Sequence, residues 1–284
     1  MIKVLKTGML TTVQDIGRVG YRNIGVPLSG SMDSISAGIA NGLLNNHKND
    51  AVLEITMLGP KLAFLKAAKI AISGAELSAK INNTSIINNK VYFLKKGDVL
   101  SFGAAIKGIR CYLAVEGGFQ TEKILKSRSF YAGITSQEKL NENDTIPFNS
   151  QLENTNNFKG LLKNKVHFFE TNELEVYKGP EYDLFTPNEK KLLISNKFTV
   201  SKDSNRMGYR LEETVIEHTK SIITSPVIPG TVQLTPEGKL IILMKDAQTT
   251  GGYPRVLQLS EKSIAILAQK NAKDKISFKK MVSI

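Results

Sequence analysis

The 284 residues carry 38 Lys and Arg against 26 Asp and Glu, a formal net charge of +12, with 41% apolar and 23% charged residues. That balance excludes a disordered chain, and no eighteen apolar residues run together as a helical membrane span would need. The basic residues are scattered (Lys66 and Lys69, Lys95 and Lys96, Lys190 and Lys191) without a basic run or an aromatic-interleaved stripe, which argues against nucleic acid and against an anionic membrane surface.

The opening MIKVLKTGMLTTVQDIGRVG has no continuous apolar core of secretory type. Cys111 is the only cysteine, so an internal disulfide and a multi-cysteine metal site are both excluded, and a soluble, cytoplasmic protein is expected. A first helix is predicted over 33–44, with Ile35, Ile39 and Leu43 on one face and Ser31 able to cap it. The runs KIAIS, ELSAKI, VYFLKKGDVLSF and RCYLAV then read as strands, with KKGD and NNT as turns. Residues 141–160, NENDTIPFNSQLENTNNFKG, lack apolar periodicity and read as a linker. Beyond it, Thr186, Pro187 and Glu189 form a capping-box signature for a helix carrying Leu192 and Leu193. KFTVS, KLIILM and KISF read as strands, and a last helix from Ser260 would bury Ile264, Leu267 and Ala268. The predicted fold is mainly β with a few helices, in two domains, 1–145 and 160–284.

The halves echo one another. GRVGYR at 17–22 and NRMGYR at 205–210 share Arg-x-Gly-Tyr-Arg, and GDVLSF at 97–102 matches KDKISF at 273–278. The order is preserved, so a duplication is expected, with both Arg-x-Gly-Tyr-Arg segments serving as the same element.

Seven of the 38 basic residues are arginines, and five of these are Arg18, Arg22, Arg206, Arg210 and Arg255. A guanidinium fork can grip a carboxylate or phosphate with two parallel bonds. It can equally pair with a protein carboxylate such as Asp15, or brace a loop through carbonyls; both readings stay open, with Arg18 and Arg206 the functional candidates. After KLIILM comes KDAQTTGGYPR, which offers Lys245 and Asp246 as acid–base groups and Gln248, Thr249, Thr250 and Tyr253 as hydrogen-bonding partners. Gly251 and Gly252 could form an anion nest there, or a plain turn and bulge. PLSGSMD puts Ser29, Gly30 and Ser31 at a helix start where amides favour an anion, or simply cap the helix. Gln14 joins Arg18 and Ser29 as a substrate-binding candidate, and Ser127, Arg128 and Ser129 add polar loop groups. His47, His167 and His218 show no metal spacing, so no metal is expected, and no GxSxG, Walker or GxGxxG motif is present.

The ordered set TTVQDIGRVGYRNIGV, SGSMD, IANGLLNN, AVLEITMLGP, YLAVEGGF, SNRMGYRL, VIPGTVQL and DAQTTGGYPR resembles the carboxyltransferase or allophanate hydrolase subunit 2 family, over about residues 1 to 280. The resemblance implies two duplicated cyclophilin-like β-barrels, with Arg18, Arg206 and the 245–253 residues lining a cleft between them. It is strongest to the bacterial ATP-dependent 5-oxoprolinase branch. That branch implies partner subunits B and A and ATP used by the complex, which opens a lactam to an amino acid, with this chain inactive alone. Other branches imply a biotin-dependent urea or amide carboxyltransferase, or a non-enzymatic regulator paired with a kinase-inhibitor-like B subunit. No Met-Lys-Met biotin-attachment motif occurs, so any biotin would arrive on another chain.

Overall fold

The computed structural model describes residues 1–149 and 170–281. Among these residues the chain is mainly β with three α-helices, and it divides into two compact units. The first comprises Met1–Val19 and Ser29–Val166; the second comprises Gly20–Leu28 and His167–Ile284. The nine-residue excursion 20–28 therefore leaves the first unit and returns to it.

The first unit contains β1 (Ile2–Lys6), β2 (Leu10–Gln14), α1 (Ser34–Leu43), β3 (Val52–Thr56), β4 (Lys61–Phe64), β5 (Ala68–Glu76), β6 (Lys80–Ile81), β7 (Thr84–Ser85), β8 (Val91–Leu94), β9 (Val99–Ser101), β10 (Lys107–Val115) and β11 (Thr145–Ile146). Two sheets form, in the orders β11-β1-β4-β9-β6-β7 and β2-β3-β10-β5-β8. β10 is central in its sheet and nearly all buried, which accounts for the unbroken apolar stretch around Cys111. Ile2, Val4, Leu53, Ile55, Leu62, Phe64, Ile70, Ile72 and Leu113 belong to the core of this unit.

The helix α1 differs from expectation in its cap and its buried face. Asp33, not Ser31, is the N-cap, its carboxylate accepting from the Ile35 and Ser36 amides. Ala37, Ala40 and Leu43 are buried while Ile35 and Ile39 are half-buried. Small residues face the sheet because the approach is close: a Cβ on Gly74 (φ +88°) would lie 3.3 Å from Ser36 Cβ and 2.6 Å from the Arg110 carbonyl.

The expected linker is likewise corrected in its first part. Thr145 and Ile146 pair with Lys3 and Ile2, so 141–149 is part of the first unit; 150–160 lies outside the described residues. Periodicity misses β11 because its pairing partner is more than 140 positions away in sequence.

The second unit contains β12 (Glu173–Lys178), α2 (Pro187–Ser195), β13 (Lys197–Thr199), β14 (Gly208–Thr214), β15 (Ser225–Pro226), β16 (Thr231–Leu234), β17 (Lys239–Leu243), β18 (Thr250–Gly251), β19 (Arg255–Leu259), α3 (Glu261–Leu267) and β20 (Lys275–Lys280). Seven strands run in the order β13-β20-β12-β19-β16-β17-β14. An antiparallel bridge between Val200 and Leu211 joins the two ends, making a nearly closed, barrel-like sheet. β15 and β18 form a separate two-stranded ribbon. The predicted capping box is present: Thr186 accepts from the Glu189 amide and Glu189 accepts from the Thr186 amide. α3 is capped by Ser260 and buries Ile264 and Leu267 with Ala268 following, as the periodicity requires.

The two Arg-x-Gly-Tyr-Arg segments are not the same element, contrary to expectation. The first passes through a loop into a 3-10 turn at Arg22–Ile24, with Gly20 at φ +95°; in the second, Gly208 to Arg210 lie in extended strand β14. The letters coincide while the glycines serve opposite backbones. The late strands β9 and β20 share the form of the turn before them but not their pairing, since β20 has a parallel neighbour and β9 has antiparallel ones. The Asp98 and Asp274 carboxylates each accept the amide three residues earlier, from Lys95 and Asn271, and a strand follows. Asp144 makes the same turn with the Asn141 amide, so GDVLSF, NDTIPF and KDKISF are three copies of one turn-and-strand device.

Candidate active site

In the first unit, Gln14, Asp15, Arg18 and Ser29 are all buried. The Asp15 carboxylate is the hub. Its Oδ1 accepts from the Gly17 amide (2.8 Å), Ser127 Oγ (2.6 Å) and Ser129 Oγ (2.7 Å), and its Oδ2 accepts from the Arg128 amide (2.7 Å). These bonds tie the loop after β2 to the 127–129 segment. Arg18 donates to the Ser129 carbonyl, which matches the loop-bracing alternative. Gln14 Oε1 accepts from the Gly30 amide at 3.1 Å and the Asp15 carbonyl accepts from the Ser31 amide at 3.0 Å. The anion site anticipated at Gly30 and Ser31 is therefore corrected: both amides have protein acceptors, and the helix N-terminus is already served by Asp33. Ser29 is fully buried at φ +56°, a conformation rare for a residue with a side chain.

A buried network supports the same loop from below. Glu54 Oε2 accepts from the Met32 amide and from Tyr112 Oη, each at 2.8 Å, and Tyr112 Oη accepts from the Asp33 amide at 2.8 Å. Burial pushes the Tyr112 hydroxyl well above its ordinary range, and the neighbouring Glu54 and Asp33 carboxylates add to that.

In the second unit, the strand KLIILM ends as predicted in a polar turn. Arg206 and Asp246 come together: Nε to Oδ2 is 2.7 Å and Nη2 to Oδ1 is 3.1 Å, with the Asp246 amide donating to the Arg206 carbonyl at 2.9 Å. Their side chains are 11% and 12% exposed. Lys245, half-buried, lies in the same turn. Gln248 and Thr250 are exposed, Thr249 and Gly251 are half-buried, Gly252 is exposed, and Tyr253 is 42% exposed. Neither Gly251 nor Gly252 has positive φ, so the anticipated nest is corrected to an extended ribbon, with Gly251 paired to Ser225 and Thr250 to Pro226.

Three side chains hold this ribbon by its carbonyls. Arg22 donates to the Val227 carbonyl and, at 3.3 Å, to the Thr249 carbonyl; burial lowers its guanidinium from the ordinary value. Gln233 Nε2 donates to the Tyr253 carbonyl at 3.3 Å, and a Cβ on Gly251 would lie 2.5 Å from that nitrogen. Arg255 Nη1 donates to the Pro226 carbonyl at 2.8 Å. The Arg255 fork meanwhile grips Glu181, Nε to Oε2 at 2.8 Å and Nη2 to Oε1 at 2.7 Å. That hydrogen bonding holds the Glu181 carboxyl below the usual carboxylate range and raises Arg255. Arg22 thus braces a loop through carbonyls, one of its two expected roles. Arg210, for which the sequence leaves both readings open, has an exposed side chain on β14. Glu181 and Gln233 are not singled out by sequence; KGPE directly after an alternating strand is the only local signal for the former. Among the described residues no cluster of three His, Cys, Asp or Glu could hold a metal, and His167 lies outside them.

Residues 24–280 match the family model for a carboxyltransferase domain, subdomains A and B. The chain is 32% identical to the C subunit of 5-oxoprolinase from Escherichia coli (strain K12), over 95% of this chain and 87% of that one. It is 29% identical to the Haemophilus influenzae protein of the same name, over 98% and 90%. The crystal structure of the K. lactis urea amidolyase superposes with a TM-score of 0.91 at 30% identity, covering 99% of this chain and 19% of that one. This chain thus spans about a fifth of that enzyme. Among the described residues no helix is long and apolar enough to cross a membrane.

Proposed function

Because the chain belongs to the carboxyltransferase-domain family with subdomains A and B, we propose that it is the C subunit of an ATP-dependent 5-oxoprolinase, working with subunits A and B to convert 5-oxoproline to glutamate. The observation that carries the reading is near-full-length similarity to two 5-oxoprolinase C subunits, where the urea amidolyase likeness covers a small part of a larger enzyme. In this reading the two units are cyclophilin-like barrels of common origin.

The chemical task is hydrolysis of the lactam: one water adds at the carbonyl carbon, the ring C–N bond breaks and the nitrogen takes up a proton, coupled to ATP and a second water becoming ADP and phosphate. Charge develops on the lactam oxygen, so donors aimed at that oxygen lower the barrier. The second unit offers such donors along 245–253. Arg206 is paired with Asp246, which fixes the direction of its guanidinium at the turn that also carries Lys245. Gln248, Thr249, Thr250 and Tyr253 would orient the amide, and the ribbon glycines let it approach the main chain closely. Gln14, Arg18 and Ser29 are retained as substrate-binding candidates of the first unit. In this reading ATP is assigned to another subunit, because no Walker loop occurs in this chain and the Arg18, Arg22, Arg206 and Arg255 guanidinia are engaged with protein acceptors.

Purified A, B and C proteins incubated with 5-oxoproline and ATP should release glutamate and ADP, and omission of this chain should abolish both. No glutamate from the three intact proteins would remove the reading. The carboxyltransferase alternative, favoured by the urea amidolyase superposition, predicts instead that carboxybiotin turnover depends on urea or a related amide.

A further inference from the structure

We propose that Glu181 is a positioning residue for the 249–253 segment, acting through Arg255. The functional half of this inference rests on the site reading above; the structural half does not.

The ribbon that carries Thr250 and Gly251 has two residues per strand, and a ladder that short is not stable by itself. One of its strands contains Pro226, which has no amide to contribute, so the Pro226 carbonyl is what a brace can hold. Arg255 Nη1 holds it. The direction of that nitrogen is set by where the rest of the guanidinium is anchored, and it is anchored on Glu181 by Nε and Nη2 together. Glu181 also accepts the Arg255 amide at 2.9 Å, and its own amide donates to the Arg255 carbonyl at 3.2 Å. One carboxylate thus fixes both the main chain and the side chain of Arg255. The two side chains are 14% and 17% exposed, which keeps the pair from being diluted by solvent as a surface ion pair would be.

The position of Glu181 is equally constrained. The preceding Gly179 donates to the Val256 carbonyl at 3.0 Å, and a Cβ there would fall 2.1 Å from the Arg255 carbonyl, so only glycine lets the chain pass. Nε, Nη1 and Nη2 of Arg255 each donate to a protein acceptor, so the plane and direction of the guanidinium are set by the protein. The result is geometry at a distance: Glu181 sets Arg255, Arg255 sets Pro226, and Pro226 pairs with Thr250.

The test compares Glu181→Gln, Glu181→Asp, Arg255→Lys and the double variant Glu181→Gln/Arg255→Lys. In the isolated chain, amide hydrogen exchange at 225–227 and 249–253 should quicken about tenfold or more in Glu181→Gln, with β3, β5 and β10 unchanged. In the reconstituted complex, kcat per folded molecule should fall about tenfold to a hundredfold, since a displacement of roughly 1 Å carries that penalty. The double variant should be no worse than the worse single one, because both remove the same hold. Glu181→Asp, which keeps the charge, should recover part of the loss and serves if Glu181→Gln does not fold. Unchanged exchange in the ribbon overturns the proposal, and so does faster exchange with kcat unaltered. A wild-type complex that makes no glutamate removes the oxoprolinase reading, while the exchange result still decides whether Glu181 holds the ribbon.

Discussion

Asp246 holds one full edge of the Arg206 guanidinium, Nε to Oδ2 at 2.7 Å and Nη2 to Oδ1 at 3.1 Å. A substrate anion therefore meets a pair whose geometry is already set. The two residues expected to act separately on a substrate act first on each other.

Replacing Arg206 should show that dependence. Arg206→Lys keeps the charge but loses the second parallel bond, at a cost of about 1–2 kcal/mol in stability. Arg206→Met strands a largely buried carboxylate and should cost about 3 kcal/mol. In the assembled complex each should lower kcat/KM about tenfold or more, and Asp246→Asn should do the same with a smaller loss of melting temperature. Activity of Arg206→Lys within about twofold of wild type, a difference of roughly 0.4 kcal/mol, would take this pair out of the mechanism.

Acid stability should carry a signature of Glu181. Hydrogen bonding from Arg255 depresses its folded-state pKa. The stabilisation is accordingly complete above the unfolded value of about 4.3 and is lost as pH falls through the lower folded value. Other carboxylates with depressed values, such as Glu213, contribute in the same region, so the comparison is between proteins. Urea unfolding from pH 7 to acid should show a shallower decline for Glu181→Gln than for wild type; parallel declines would contradict the assigned linkage.

Two glycines should respond differently to a methyl group. Gly179→Ala drives a Cβ against the Arg255 carbonyl, main-chain atoms that have no room to yield, and should cost about 3 kcal/mol or more. Gly251→Ala meets only the end of the Gln233 side chain, which can turn away at the loss of its bond to Tyr253, about 1 kcal/mol. Melting temperatures of the two variants settle the order, and equal shifts would refute it.

Sequence reading did well where the physics is local. Thr186, Pro187 and Glu189 announce α2 because a capping box is closed within four residues, and Ser260 announces α3 by a simple N-cap that accepts the Ser263 amide. Asp246 and Lys245 could be placed after a strand because KLIILM ends abruptly in polar residues. It failed where partners are remote. Nothing near Thr145 signals that its strand pairs with Lys3, and nothing near Glu181 signals a guanidinium 74 positions away. Arg22 looks like a repeat of Arg210, yet one glycine is left-handed and the other extended, a difference that spelling does not carry.

The excursion 20–28 bears on how the molecule is made. Arg22 and the Val227 carbonyl it holds are 205 positions apart. At ribosomal rates of roughly 5–20 residues per second, the arginine leaves the ribosome roughly 10–40 s before its acceptor exists. During that interval the nascent first unit displays an unpartnered strap containing Tyr21, Arg22 and Ile24, and a fragment beginning after residue 170 would be born without it. Supplying residues 20–28 in trans as a peptide should therefore raise the yield of such a fragment, making this short segment a test of whether the C-terminal half can mature by itself.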